Sequence, residues 1–187
     1  VLKSNFTDIE VCVFDNYSRT PDESLGVIKE FGFEESLSFF SQEIHIEWSA
    51  NWNFLLRKAS GKYFILLGDD DLLIPYSLER IKIYIDKDSS VDIFAIGYQV
   101  IDSIGIPTYS IRGTKPIMID INKTGLVKKL FNADILPFAL FHPLTMAYKL
   151  ELRDELKYNQ EAGIGSDYLF LFEAILYGKI IQIIPEV

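Results

Sequence analysis

Tyr63-Phe64-Ile65-Leu66-Leu67 is an unbroken apolar run that stops at Gly68 and empties into Asp69-Asp70-Asp71, and few folds accept that combination. A run this short and this apolar reads as a central strand buried on both faces of a sheet. Carboxylates crowded behind it must be protonated, spread into solvent, or neutralised by a cation. The residues before it are helical: Trp52, Leu55, Leu56 and Ala59 share one face, Arg57 and Lys58 lie near the end, and Gly61 is the stop. Beyond the triplet, Pro75 opens a further helix to about residue 85, with Leu78, Ile81 and Ile85 on one face. Helix, strand, acidic outlet, helix is the grammar of an α/β fold.

The rest of the chain continues it. Residues 9–14 form an apolar strand that ends in the turn formers Asp15-Asn16-Tyr17-Ser18. A helix is predicted over 22–31 and a second short strand within 38–46. Strand follows over 91–101, then a turn at 103–107 and a return strand. A short amphipathic helix is predicted over 124–131 and a strand over 144–149. Ser166 is placed to cap a helix that stops at Gly178, ahead of a last strand over 179–184. The expected architecture is an α/β sheet flanked by helices, mostly parallel, with mixed strands in the second half. With no repeat or linker in sight, residues 1–187 read as one domain.

Composition narrows the partners. A net charge of -9 repels phosphate backbones and anionic lipid, which argues against nucleic acid. A nucleotide can still bind where a cation or backbone donors offset its charge. Cys12 is the single cysteine, so no disulfide forms within the chain, and its apolar neighbours predict a buried, inert thiol. No apolar run is long enough to span a bilayer, and no signal peptide is visible. Cytoplasmic exposure is therefore expected, with attachment to the inner face of the cell membrane only through parts not present. The chain starts at Val1 and ends on a predicted strand, so it reads as a piece of a longer protein.

Ligands of open α/β sheets bind beyond the carboxyl ends of the strands, where Asp15 and the Asp69-Asp70-Asp71 triplet fall. Hard oxygen ligands with open positions suit Mg²⁺ or Mn²⁺, which in turn binds a diphosphate. A solvated acidic loop at the start of the next helix fits the same residues. Spacing alone leaves both open.

The segment from Asn51-Trp52-Asn53 through Ala59-Ser60-Gly61, the Tyr63 strand, Gly68-Asp69-Asp70-Asp71 and Pro75 closely resembles the core signature of family-2 glycosyltransferases. Val13-Phe14-Asp15-Asn16-Tyr17-Ser18 is similar to the family's second-strand motif, and Gly165-Ser166-Asp167-Tyr168-Leu169 to its late acidic motif. The resemblance implies a GT-A, Rossmann-like fold and an inverting single displacement from a nucleotide-diphosphate sugar to a saccharide or lipid-linked saccharide acceptor. It also implies a role in surface polysaccharide synthesis. Asp71 and Asp69 would hold Mn²⁺ or Mg²⁺, with Asp69 and Asp70 also at the donor. Asp15, Asn16 and Ser18 would meet the nucleotide, Asp15 accepting from the base. Asp167 would take the proton from the acceptor hydroxyl.

Departures are visible too. The family's opening strand has no counterpart and is expected upstream of Val1. Glu47-Trp48-Ser49-Ala50 replaces an Asn-Xaa-Gly-like turn, and Gly68 occupies the first position of the fuller acidic motif. A non-catalytic domain of the same fold and a nucleotidyltransferase are the competing readings. His142 is read as structural, though it lies where it could approach a metal or acceptor. Trp52 is read as core, and Trp48 is left open as a sugar platform.

Overall fold

The computed structural model describes residues 8–30, 37–111, 117–119 and 143–184. In chain order these form β1 (Val11–Asp15), α1 (Pro21–Glu30), β2 (Leu37–Ser41), α2 (Trp48–Lys58), β3 (Tyr63–Ile65), α3 (Ser77–Lys87) and β4 (Ile93–Ile96). There follow β5 (Tyr98–Ile101), β6 (Pro107–Ile111), β7 (Ile117–Ile119), β8 (Met146–Lys149), α4 (Leu152–Glu155), α5 (Ser166–Leu176) and β9 (Ile181–Ile184). β1 and β2 pair in parallel, Val11 opposite Leu37 and Asp15 opposite Ser41. The larger sheet has the order β3-β8-β4-β9-β7. In it β3, β4 and β9 run one way, while β8 and β7 run the other. β5 and β6 make a separate antiparallel hairpin. The fold is α/β as expected, and the opposed strands come from the second half.

Strand alternation divides the core in two. Ile93 and Ala95 of β4 join Met146, Tyr148, Ile181 and Ile183 on one face, closed over by Leu56 of α2, Leu152 of α4 and Phe170 and Ala174 of α5. Phe94 and Ile96 join Ala147, Ile184 and Ile81 of α3 on the other. Wholly buried β4 is thus the central strand, a place predicted for β3. Among the described residues β3 is the outer strand of its sheet, paired only with β8. The apolar run overstated its length: Leu66 is buried past the end of β3, and Leu67 is already 42% exposed.

Other differences are local. β2 stops at Ser41, so His45 lies exposed in a loop and not in a strand. α3 begins at Ser77 and not at Pro75, because Tyr76 takes a φ of 65° that no helix accommodates. Ser166 is the first residue of α5 and its buried Oγ has no partner among the described residues, so it does not cap by its side chain. Gly178, at φ 77°, ends α5 as expected. Its N–H reaches the Ile175 carbonyl and that of Lys179 the Ala174 carbonyl, both at 3.0 Å. Cys12 is half-buried, and burial, then the Glu10 charge, pushes its thiol up to about 11, which keeps it unreactive. The helix predicted over 124–131 and His142 lie outside the described residues.

Helix α2 is held at its end from a distance. Arg153 of α4 donates through Nη1 to the carbonyls of Leu56 at 2.6 Å and Ala59 at 2.7 Å. These belong to the last turn, which has no intrahelical donors for them. The N–H of Ser60 is turned away to Glu10. Arg153→Met is expected to cost about 1.5–3 kcal/mol, the range for hydrogen bonds to a charged group. Urea unfolding measures it, and an unchanged midpoint would remove the clamp from the account.

Candidate active site

The acidic motifs follow the carboxyl ends of β1 and β3 and stand in the first turn of α5. The Glu10 carboxylate, just before β1, accepts from the N–H of Ser60 at 2.8 Å and from its Oγ at 2.9 Å, just before β3. Those bonds, the backbone one foremost, hold the Glu10 carboxyl below its usual range. The start of β1 and the approach to β3 are thereby tied together. α5 reverses at Gly178 into β9, which runs the same way as β4 and β3. Its N-terminus, with Asp167, therefore lies toward the carboxyl ends of those three strands.

At the end of β1, Asp15 is 9% exposed. Its Oδ1 accepts from the N–H of Ser18 at 2.8 Å and also from the Ser18 hydroxyl. Its Oδ2 is buried with no partner among the described residues. Asn16 pins the opposing loop, donating to the Ile46 carbonyl at 2.8 Å and accepting from the Ile46 N–H at 3.0 Å. Ser18 thus orients Asp15 and Asn16 fixes the wall, so the atom left to recognise something is Asp15 Oδ2. A buried oxygen without a partner is costly and points to a missing donor.

After β3 the chain turns on Gly68. The Asp71 N–H donates to the Gly68 carbonyl, and the Gly68 N–H donates to Asp71 Oδ2, both at 3.3 Å. A β-carbon on Gly68 would sit 2.8 Å from Asp70 Oδ1 and 2.9 Å from Asp71 Oδ2. Two carboxylates therefore converge over the space that glycine leaves free. Asp69 is exposed at the turn. Among the described residues no three His, Cys, Asp or Glu side chains gather as a group able to hold a metal ion. A pair of hard oxygens with open positions nonetheless suits Mg²⁺ or Mn²⁺, which keep waters and complete their shell with phosphate. Asp70 and Asp71 are the pair that could hold one.

Asp167 is 8% exposed in the first turn of α5, where the helix dipole favours a negative charge. Its Oδ1 accepts from the Tyr168 N–H at 2.8 Å. Burial first, and then the Asp167 charge, push the Tyr158 and Tyr168 phenols upward. Burial, Tyr158 and Asp167, in that order, raise Tyr148. The phenols around Asp167 stay neutral. Trp52 packs as core, as its register implied, and Trp48 stands edge-on to it at 4.4 Å, half-buried. Glu10, Asn53 and Arg153 carried no local signal, because their partners lie 50, 105 and 94–97 residues away.

An α/β fold with carboxylates beyond the carboxyl ends of its strands is the architecture of proteins that hold nucleotides there. The family model for glycosyl transferase family 2 matches residues 1–142. The chain belongs to that family. It is 26% identical over 177 residues to an uncharacterized glycosyltransferase of Methanocaldococcus jannaschii, covering 94% of this chain and 57% of that protein. It is 27% identical over 151 residues to an uncharacterized glycosyltransferase of Rickettsia bellii, covering 78% of this chain and 21% of that one. The chain thus spans only part of the length of these relatives.

The fold is similar to that of S. aureus TarS residues 1-349, alone and in complex with UDP, with a TM-score of 0.73 at 18% identity over 99% of this chain and 52% of that one. It is less similar to CMP:2-keto-3-deoxy-manno-octonic acid synthetase complexed with CTP. There the TM-score is 0.51 at 14% identity, over 98% of this chain and 74% of that one. These likenesses show a GT-A fold. Among the described residues no helix is long and apolar enough to cross a membrane.

Proposed function

We propose that this protein transfers a sugar from a nucleotide-diphosphate sugar to an acceptor hydroxyl by a single inverting displacement. The observation that carries the reading is the buried Oδ2 of Asp15 at the end of β1, which has no partner among the described residues, with Asp70 and Asp71 drawn together over Gly68. Asp15 Oδ2 accepts an N–H of the nucleobase, with Ser18 holding the carboxylate in place. Asp70 and Asp71, with Asp69 beside them, would hold a Mg²⁺ or Mn²⁺ ion, which when bound would supply positive charge to the diphosphate leaving group. Asp167 takes the proton from the acceptor hydroxyl as its oxygen attacks the anomeric carbon. The acceptor is a saccharide or a lipid-linked saccharide, in the building of a surface polysaccharide. The reaction is placed in the cytoplasm, at the inner face of the membrane where the acceptor is lipid-linked. Family membership and the fold shared with UDP-bound TarS support the donor class.

The test is isothermal titration of UDP, GDP and CMP with and without Mn²⁺. One diphosphate is expected to bind in a Mn²⁺-dependent way, and Asp15→Asn, which turns an N–H toward the base, to weaken it about tenfold or more. No binding by the folded protein sinks the reading in favour of a non-catalytic domain. The likeness to a CTP-bound synthetase favours a second reading, nucleotidyl transfer. Release of pyrophosphate from a nucleoside triphosphate would mark that reaction.

A further inference from the structure

Helix α2 touches both halves of the site through consecutive residues. Phe54 faces β1 and β2, its ring 4.6 Å from Phe14 and 5.6 Å from Phe40. Phe14 is the residue before Asp15. Trp52 and Asn53 face the other way, onto Tyr158. The Asn53 amide makes a matched pair of bonds with that residue's backbone, donating to the Tyr158 carbonyl at 2.7 Å and accepting from its N–H at 2.9 Å. The Tyr158 ring stands edge-on to Trp52 at 5.0 Å and stacks on Phe170 at 4.6 Å. Phe170 is wholly buried and lies one helical turn after Asp167 on the same face of α5. From Tyr158 the chain passes through the 3-10 turn Gln160–Gly165 directly into α5. That turn contains Gly163 in a non-helical conformation, at φ 52° and ψ -135°, and its Ile164 is 92% exposed. The connector buries none of its own side chains, so its start is held at Tyr158 and its end by the buried first turn of α5, where Phe170 stacks on Tyr158.

We infer that Asn53 is the positioning residue for Asp167: by fixing Tyr158 it sets the distance from the nucleotide-facing carboxylate of Asp15 to the proton-accepting carboxylate of Asp167. The inference rests on the reading of Asp167 as the base. Its two bonds copy those of a peptide group and fix the Tyr158 backbone against α2, while the ring is held by Trp52 and Phe170. Proton transfer to Asp167 depends on ångström-scale placement, and nucleotide binding at β1 does not pass through Tyr158.

The test uses Asn53→Ala, Asp167→Asn and the double variant, with hydrolysis of UDP-glucose, UDP-N-acetylglucosamine and GDP-mannose in Mn²⁺ as the probe. Asn53→Ala is expected to lower kcat about ten- to a hundredfold, the scale for an ångström of misplacement, with KM for the donor unchanged. The double variant is expected to be no slower than Asp167→Asn within about twofold. Hydrogen exchange gives a readout independent of turnover: Asn53→Ala must speed exchange over 159–168 and leave β1 as it was. If Asn53→Ala fails to fold, Asn53→Asp, which keeps the acceptor for the Tyr158 N–H, takes its place in both measurements. Full kcat in Asn53→Ala beside an inactive Asp167→Asn overturns the inference alone, as does unchanged exchange over 159–168. Full turnover in Asp167→Asn removes the base reading and the inference together.

Discussion

Asp167→Asn is expected to lower donor turnover by about 10²–10⁴-fold, the range for a positioned general base, while nucleotide binding stays as it was. The substitution is close to isosteric. An amide oxygen can still accept from the Tyr168 N–H, now 2.8 Å from Oδ1, so the first turn of α5 keeps its local bond. What disappears is the capacity to take up a proton, since a carboxamide is no base near neutral pH. The neighbouring phenols cannot replace it, because burial and the Asp167 charge hold Tyr158 and Tyr168 protonated. Initial rates of nucleoside diphosphate release, with titration of the same nucleotide, separate the two effects. A variant that turns over donor within about tenfold of the unaltered protein would reduce Asp167 to a helix-start carboxylate, for which a small stability effect of about 0.3–1 kcal/mol is the ordinary expectation.

The outline of this site is legible in the sequence because it depends on short-range chemistry. An apolar run that ends in Asp15 and another that ends in Gly68-Asp69-Asp70-Asp71 place carboxylates at strand ends, and Gly178 announces the reversal between α5 and β9. The order of the sheet is not written locally. β3 looked central because its apolar run is long. Its neighbour is set by β8, where Phe64 meets Tyr148 across more than eighty residues of chain, and β4 takes the centre. Polar roles divide the same way. That Asn16 spends its amide on Ile46, and Asn53 on Tyr158, follows from which loops come together, which no periodicity encodes. Register inside the acidic triplet is a third case, since equal side chains at adjacent positions are told apart only by the turn that aims them.

That turn sets up the other large effect. The double variant Asp70→Ala, Asp71→Ala is expected to weaken Mn²⁺-dependent nucleotide binding by about a hundredfold, or about 2.8 kcal/mol, with nucleotide binding in chelator unchanged. The carboxylates converge because Gly68 leaves room for both, within 2.8 and 2.9 Å of where a β-carbon would lie. Gly68→Ala therefore separates convergence from charge. Gly68 is not among the described glycines at positive φ, and the atoms its methyl would meet are the ends of exposed side chains that can swing away. Unfolding should shift by no more than about 0.5 kcal/mol, as for other surface substitutions. The carboxylates would be pushed apart, and the Mn²⁺ dependence should fall even though every charge is still present. Asp69→Ala completes the set. A loss as large as that of Asp71→Ala would bring Asp69 into the ion's shell on donor binding, whereas a small loss would leave the work to the pair the turn already draws together. If Gly68→Ala binds nucleotide as the unaltered protein does, the carboxylates act singly, and the convergence over Gly68 has no part in holding the ion.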